Sequence, residues 1–253
     1  MQTTADRPVR EALLVYAAVA VATAVITRLV AFLPGLSSYV QLLVGATFLL
    51  AAVRLARREP GGMRRYGINL AGMMSPPDAD DERPPGPLGL YDLARAMRDA
   101  APSALRESAV AIGIAAVVFP PFVIGFFYWY QPSQPFALAL PDELGPFVLT
   151  QLLVVALPEE AFFRGYMQTR LSDRWPPKGS PLGVDLRVLV LQAALFAMVH
   201  LVADFNLGKL AVFFPALLFG LLRARRGGIG AALLLHALSN LLAATLEASW
   251  QLR

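Results

Sequence analysis

The stretch "VVALPEEAFFRGYMQ", residues 154–168, opens as a membrane-type apolar run and then sets Glu159, Glu160 and Arg164 inside it. Ionisable groups at bilayer depth are costly and usually functional. The surrounding composition says that this depth is a bilayer. Of the 253 residues 57% are hydrophobic and only 16% charged, against about 25% charged in soluble domains. Mean hydropathy is +0.55. Several runs reach or approach the roughly 20 residues that cross a hydrocarbon core of about 30 Å. The polar stripe of a soluble amphipathic helix is missing from most of them. The fold class is therefore all-α: a polytopic transmembrane helical bundle.

Working outward from residue 154, seven segments qualify as spans: 12–33, 36–56, 108–130, 145–166, 187–202, 210–222 and 229–249. Each must be helical, because lipid offers no partner to an open backbone. The fifth and sixth are short. Arginines recur in alternate loops: Arg7 and Arg10 at the start, Arg57, Arg58, Arg64 and Arg65 after the second span, Arg170, Arg174 and Lys178 after the fourth, and Arg223, Arg225 and Arg226 after the sixth. The intervening loops hold almost no positive charge, Lys209 excepted. This asymmetry predicts a cytoplasmic N-terminus and an external C-terminus, in a cell membrane. Trp129, Tyr130 and Trp250 then fall at the outer interface as an aromatic belt. Arg28 fits poorly and would snorkel outward from the end of the first span. The net charge of +4 is no nucleic-acid signal, since the arginines flank spans. With no cysteine there is no disulfide, no thiolate nucleophile and no thiolate metal ligand. No cleavable signal peptide is evident, because the first apolar run is too long.

The chain divides into a two-span segment (1–56), a cytoplasmic linker (57–107) and a transmembrane core (108–253). In the linker, "MMSPPDADDERPPGPLG" reads as a flexible, proline-rich stretch. The following "LYDLARAMRDAAPSALRES" sets Leu90, Leu93, Met97 and Ala101 at helical spacing, as in an amphipathic helix lying on the membrane surface. There is no internal repeat of the kind inverted-repeat transporters carry.

The polar residues inside the last spans are few. Glu160 and Arg164, four apart, share a helix face and can pair. Glu159 is turned about 100° from Glu160 and has no same-face cation. Pro158 removes a helix hydrogen bond and can kink the span beside it. "LFAMVHL" carries Phe196 and His200; "LLLHALSNLL" carries His236 and Asn240; His200 and His236 are the only two histidines. A depth count puts Glu159 and His236 each about 10 Å from the inner surface, but His200 about 20 Å deep. Either the fifth span begins below the membrane plane, or the others tilt. Each residue also has a plainer reading: Glu160–Arg164 as a structural pair, Asn240 as interhelical glue, Phe196 as packing, and a lone histidine as an interhelical hydrogen-bonding group.

Taken in order, "EEAFFRG", "FAMVH" and "HALSN" read EExxxR, FxxxH and HxxxN, and this set resembles the CPBP family of intramembrane proteases, which includes the CAAX prenyl proteases and bacteriocin-processing and immunity proteins. The resemblance covers about 145–246, within the last four helices; residues 1–144 match only as generic spans. It implies a glutamate-type endopeptidase with catalytic residues Glu159, His200, His236 and Asn240. Glu159 and His200 would activate a water, His236 and Asn240 would form the oxyanion hole, and Glu160, Arg164 and Phe196 would support them. The chemistry agrees, since peptide hydrolysis needs a base for water and donors for the oxyanion. No cofactor is expected. The alternative is zinc held by Glu159, His200 and His236, a His₂Glu set with an open position. It is set aside because the sequence has no HExxH and no evident groups to orient such ligands. The expected partners are the lipid bilayer and a protein substrate with a membrane-associated C-terminal segment, but no nucleic acid. The Ala-, Arg- and Pro-rich usage points to a GC-rich bacterial source and an inner membrane, where prenylated targets are not expected and a myxosortase-like trimming of C-terminal anchors is. Two other classes stay open: a non-enzymatic immunity or scaffold protein of the same fold, and a proton-coupled transporter with a Glu159–His200 relay.

Overall fold

The computed structural model describes residues 6–70 and 93–252, and every regular element among them is helical. In chain order these are α1 (Arg7–Leu29), α2 (Val40–Ala56, entered by a 3₁₀ segment Pro34–Tyr39), a single turn α3 (Gly62–Arg65) and α4 (Leu93–Tyr130). Next come α5 (Leu144–Arg174), α6 (Leu186–Asp204), α7 (Phe213–Arg226, entered by a 3₁₀ segment Leu207–Val212) and α8 (Gly230–Ser249). Seven helices are long and apolar enough to cross a membrane, and they coincide with the seven expected spans. The chain is a multi-pass membrane protein.

Three spans are markedly longer than the hydropathy pattern implies, the sixth running Leu207–Arg226 against an expected 210–222. The third runs as one helix from Leu93 into the apolar stretch, with Pro102, Pro120 and Pro121 inside it. The segment expected to lie on the membrane surface thus continues directly into a span, and Leu90 lies outside the described residues. The fourth extends to Arg174, eight residues past the expected end. It is not a regular α-helix: widened π turns at Thr150–Ala156 and Ala161–Met167 flank one α turn, Leu157–Glu160. Pro158 therefore sits among widened turns within one continuous helix. Single π turns inside α-helices are rare and concentrate at functional sites.

The core lies where α1, α2 and α6 meet α5, around Phe48, Phe162, Phe163, Tyr166 and Phe196. Gly45 of α2 sits on the widened turn: a Cβ there would stand 2.3 Å from the Val154 carbonyl oxygen. The α2 backbone can approach α5 so closely only because that position lacks a side chain.

At the arginine-rich end, Arg170 bonds Glu11 at 2.6 Å and Asp173 at 3.1 Å, and Arg174 bonds Asp6 at 2.8 Å. Arg65 joins Asp173 and Glu59. Tyr66 donates to Glu59 at 3.0 Å; burial, then this bond, pushes its phenol up to about 12. The turn into α8 docks on the same loop through Ile229 N–H and the Gly67 carbonyl, 3.1 Å apart.

At the opposite end Arg28 does not snorkel free. It donates to the Val202 carbonyl at 3.2 Å and lies over the Phe205 ring, 4.5 Å from its centroid. Trp129 is 70% exposed, as an interfacial residue would be, but Trp250 is only 8% exposed. Its ring stacks on Phe126 at 5.9 Å and packs against Phe127 and Phe136. The expected belt position of Trp250 is thereby corrected: it is an internal clamp between the ends of α4 and α8.

Candidate active site

The polar side chains singled out on α5, α6 and α8 converge. Glu159 Oε2 lies 3.9 Å from His200 Nε2 and 3.8 Å from His236 Nε2. The depth mismatch of His200 resolves through helix length. Glu159 and His200 both sit about 20 Å along their helices from the arginine-rich ends, while His236 is only about 9 Å from the start of α8, at 1.5 Å per residue. The end of α5 and the start of α6 therefore reach farther toward that side than α8 does, and the three groups meet at one level.

Each imidazole is held by its other nitrogen. His200 Nδ1 is 2.8 Å from the Phe196 carbonyl one turn earlier, and His236 Nδ1 is 2.9 Å from Glu160 Oε1. Both oxygens can only accept, so each Nδ1 carries the proton. In the neutral rings both Nε2 lone pairs therefore face Glu159. Glu159 Oε2 is itself buried with no hydrogen-bond partner in the protein.

Beneath this gap lies a charged floor. Glu160 and Arg164 are fully buried and pair at 2.9 Å through Oε1 and Nη1. Arg164 also donates to the Ala216 carbonyl of α7 at 3.3 Å. Its guanidinium lies 4.3 Å from the Phe196 ring centroid and 5.2 Å from that of Phe219. Phe219 stacks on His236 at 5.1 Å, and Phe196 touches His200 at 4.5 Å. Phe196 thus packs, as expected, and also supplies the carbonyl that orients His200.

Asn240, one turn beyond His236, donates from Nδ2 to Gln151 Oε1 at 2.9 Å. Gln151 and Phe219 were not singled out in the sequence. Gln151 could have been found as the lone amide in the apolar stretch "FVLTQLLVVALP"; Phe219 carries no such signal in "ALLFGLL".

Two rings with inward lone pairs and an unpartnered carboxylate oxygen are donors of the kind that zinc takes. The ligand-orienting groups that the sequence lacked are present in Glu160 and the Phe196 carbonyl. Among the described residues no group of three or more His, Cys, Asp or Glu side chains could hold a metal ion. The separations of 3.8 and 3.9 Å lie within about 0.5 Å of the roughly 3.4 Å between ligands in tetrahedral zinc sites with bonds near 2.0–2.1 Å. A water about 2.8 Å from each atom of such a pair fits the same gap.

A buried carboxylate and two oriented imidazoles, with a carboxamide one turn beyond His236, thus stand among the helices of a multi-pass membrane protein. Residues 141–242 match the family described as type II CAAX prenyl endopeptidase Rce1-like, over about two fifths of the chain. The matched segment nearly coincides with the 145–246 region that the three motifs delimit, and the match is consistent with the resemblance those motifs carry to the CPBP family. No curated protein and no solved structure matches the chain.

Proposed function

We propose that the protein is a metal-free, glutamate-type intramembrane endopeptidase that cuts a protein substrate near a membrane-associated C-terminal segment. The observation that carries this reading is the approach of Glu159 Oε2 to both Nε2 atoms within 3.9 Å, with each ring locked through Nδ1.

A water between Glu159 and His200 would give a proton to Glu159 while its oxygen attacks the scissile carbonyl. The new oxyanion would be met by the second N–H of Asn240 and by His236. In its imidazolium form His236 donates from both nitrogens, Nδ1 to Glu160 and Nε2 into the gap. Collapse of the tetrahedral intermediate would break the C–N bond, with the proton on Glu159 passing to the leaving amine. Removing one oxyanion donor typically costs 10²–10³ in kcat, so both His236 and Asn240 are expected to matter.

The loop arginines support an orientation with the N-terminus in the cytoplasm, and the Ala-, Arg- and Pro-rich usage supports a bacterial inner membrane. The substrate class we favour is a protein carrying a C-terminal anchor helix, in the manner of a sorting protease; a prenylated C-terminal peptide is the competing class. Substrate trapping tests this. Membrane proteomes of cells carrying wild type or Glu159→Gln are compared for C-terminal fragments. Fragments that vanish with the variant support a protease and reveal its substrate. Biological activity retained in the variant favours the non-enzymatic reading.

A further inference from the structure

We infer that Gln151 is a positioning residue for Asn240, and that the first π turn of α5 exists to put it there. The inference rests on the oxyanion role proposed for Asn240.

An amide that stabilises a developing charge works best when it is held in place before the reaction. Asn240 is held by one contact that crosses between helices, Nδ2 to Gln151 Oε1 at 2.9 Å. This uses one of its two N–H bonds and fixes the plane of the other.

Gln151 reaches this place through the irregularity of α5. It stands eight residues before Glu159. In a regular α-helix that spacing turns two side chains about 80° apart. The extra residue taken up by a π turn, worth about 100°, brings them close to one face. The π turn Thr150–Ala156 contains Gln151 and ends three residues before Glu159, so the register shift falls within the interval. Pro158 favours it, because an α-helical ladder would need the N–H that proline lacks to reach the Val154 carbonyl. Gly45 accommodates it, since any Cβ there would meet that carbonyl at 2.3 Å. Pro158, Gly45 and the widened turn thus serve a single contact at the other side of the site.

The plainer role for a glutamine between helices is interhelical glue, and a double-mutant cycle separates the two. Wild type, Gln151→Leu, Asn240→Ala and the double variant are purified in nanodiscs and assayed on the substrate revealed by Glu159→Gln trapping, with melting temperatures measured in parallel. Should Gln151→Leu fold poorly, Gln151→Met, similar in length and without the amide, takes its place. Gln151→Leu should lower kcat about 10-fold or more with KM within about 3-fold, in the direction of a lost transition-state interaction. The double variant should be no slower than Asn240→Ala alone. Additive losses, or a wild-type kcat in Gln151→Leu beside a slow Asn240→Ala, overturn the Gln151 assignment and leave the protease reading standing. A wild-type kcat in Asn240→Ala, or no Glu159-dependent cleavage, overturns the oxyanion reading and this assignment with it.

Discussion

Glu160 and His236 are 76 residues apart in sequence and joined at 2.9 Å, carboxylate to Nδ1. The same carboxylate oxygen also holds Arg164 at 2.9 Å. One side chain therefore ties the structural ion pair of α5 to a ring of the candidate active site. Removing either partner of a fully buried pair leaves the other charge uncompensated, at a typical cost of about 3–5 kcal/mol. Arg164→Ala should lose about that much, read as loss of folded protein in a detergent-melting assay. Arg164→Lys should recover only part of it, because an ammonium cannot lie between the Phe196 and Phe219 rings as a planar guanidinium does.

Glu160→Gln is the subtler variant. It keeps the shape and an acceptor for His236 Nδ1 but removes the charge. If His236 acts as an imidazolium, kcat should fall about 10-fold or more while the protein still folds. The check is a comparison of kcat with the melting temperature across both glutamate variants.

Gly45→Ala should destabilise by about 1–3 kcal/mol, the range for overpacking a tight contact. Its new methyl meets a backbone carbonyl, which cannot swing aside as a side chain could. A melting curve checks this, and an unchanged melting temperature would count against the close α2–α5 approach.

The absence of cysteine makes topology directly measurable. Single cysteines at Arg225 and Ser133, treated with a membrane-impermeant maleimide on intact cells, should stay unlabelled at the first position and react at the second. The reverse pattern would invert the proposed orientation.

The spans were legible because hydrophobic length alone sets them, and their polar residues were legible because so few interrupt it. Pairs four apart, such as Glu160 with Arg164 and Phe196 with His200, could be read from helical geometry. The link from Glu160 to His236 could not, because no periodicity relates residues on separate helices. Gln151 was visible as a lone amide, but the face it shares was not: the π turn changes the register on which facing residues are counted. The depth of His200 misled because α5 runs eight residues past its apolar stretch, so Glu159, not His200, was counted at the wrong depth. Trp250 misled because an aromatic at a span end also suits a packed corner.

The central claim is that Glu159, with His200, activates a water without a metal. Its most direct test is cleavage of the trapped substrate by purified protein in nanodiscs, comparing wild type, Glu159→Gln, and wild type treated with a zinc chelator. The account predicts a loss of about 10³-fold or more in the variant and no change with the chelator. Cleavage that survives Glu159→Gln, or that disappears on chelation and returns with zinc, would contradict it.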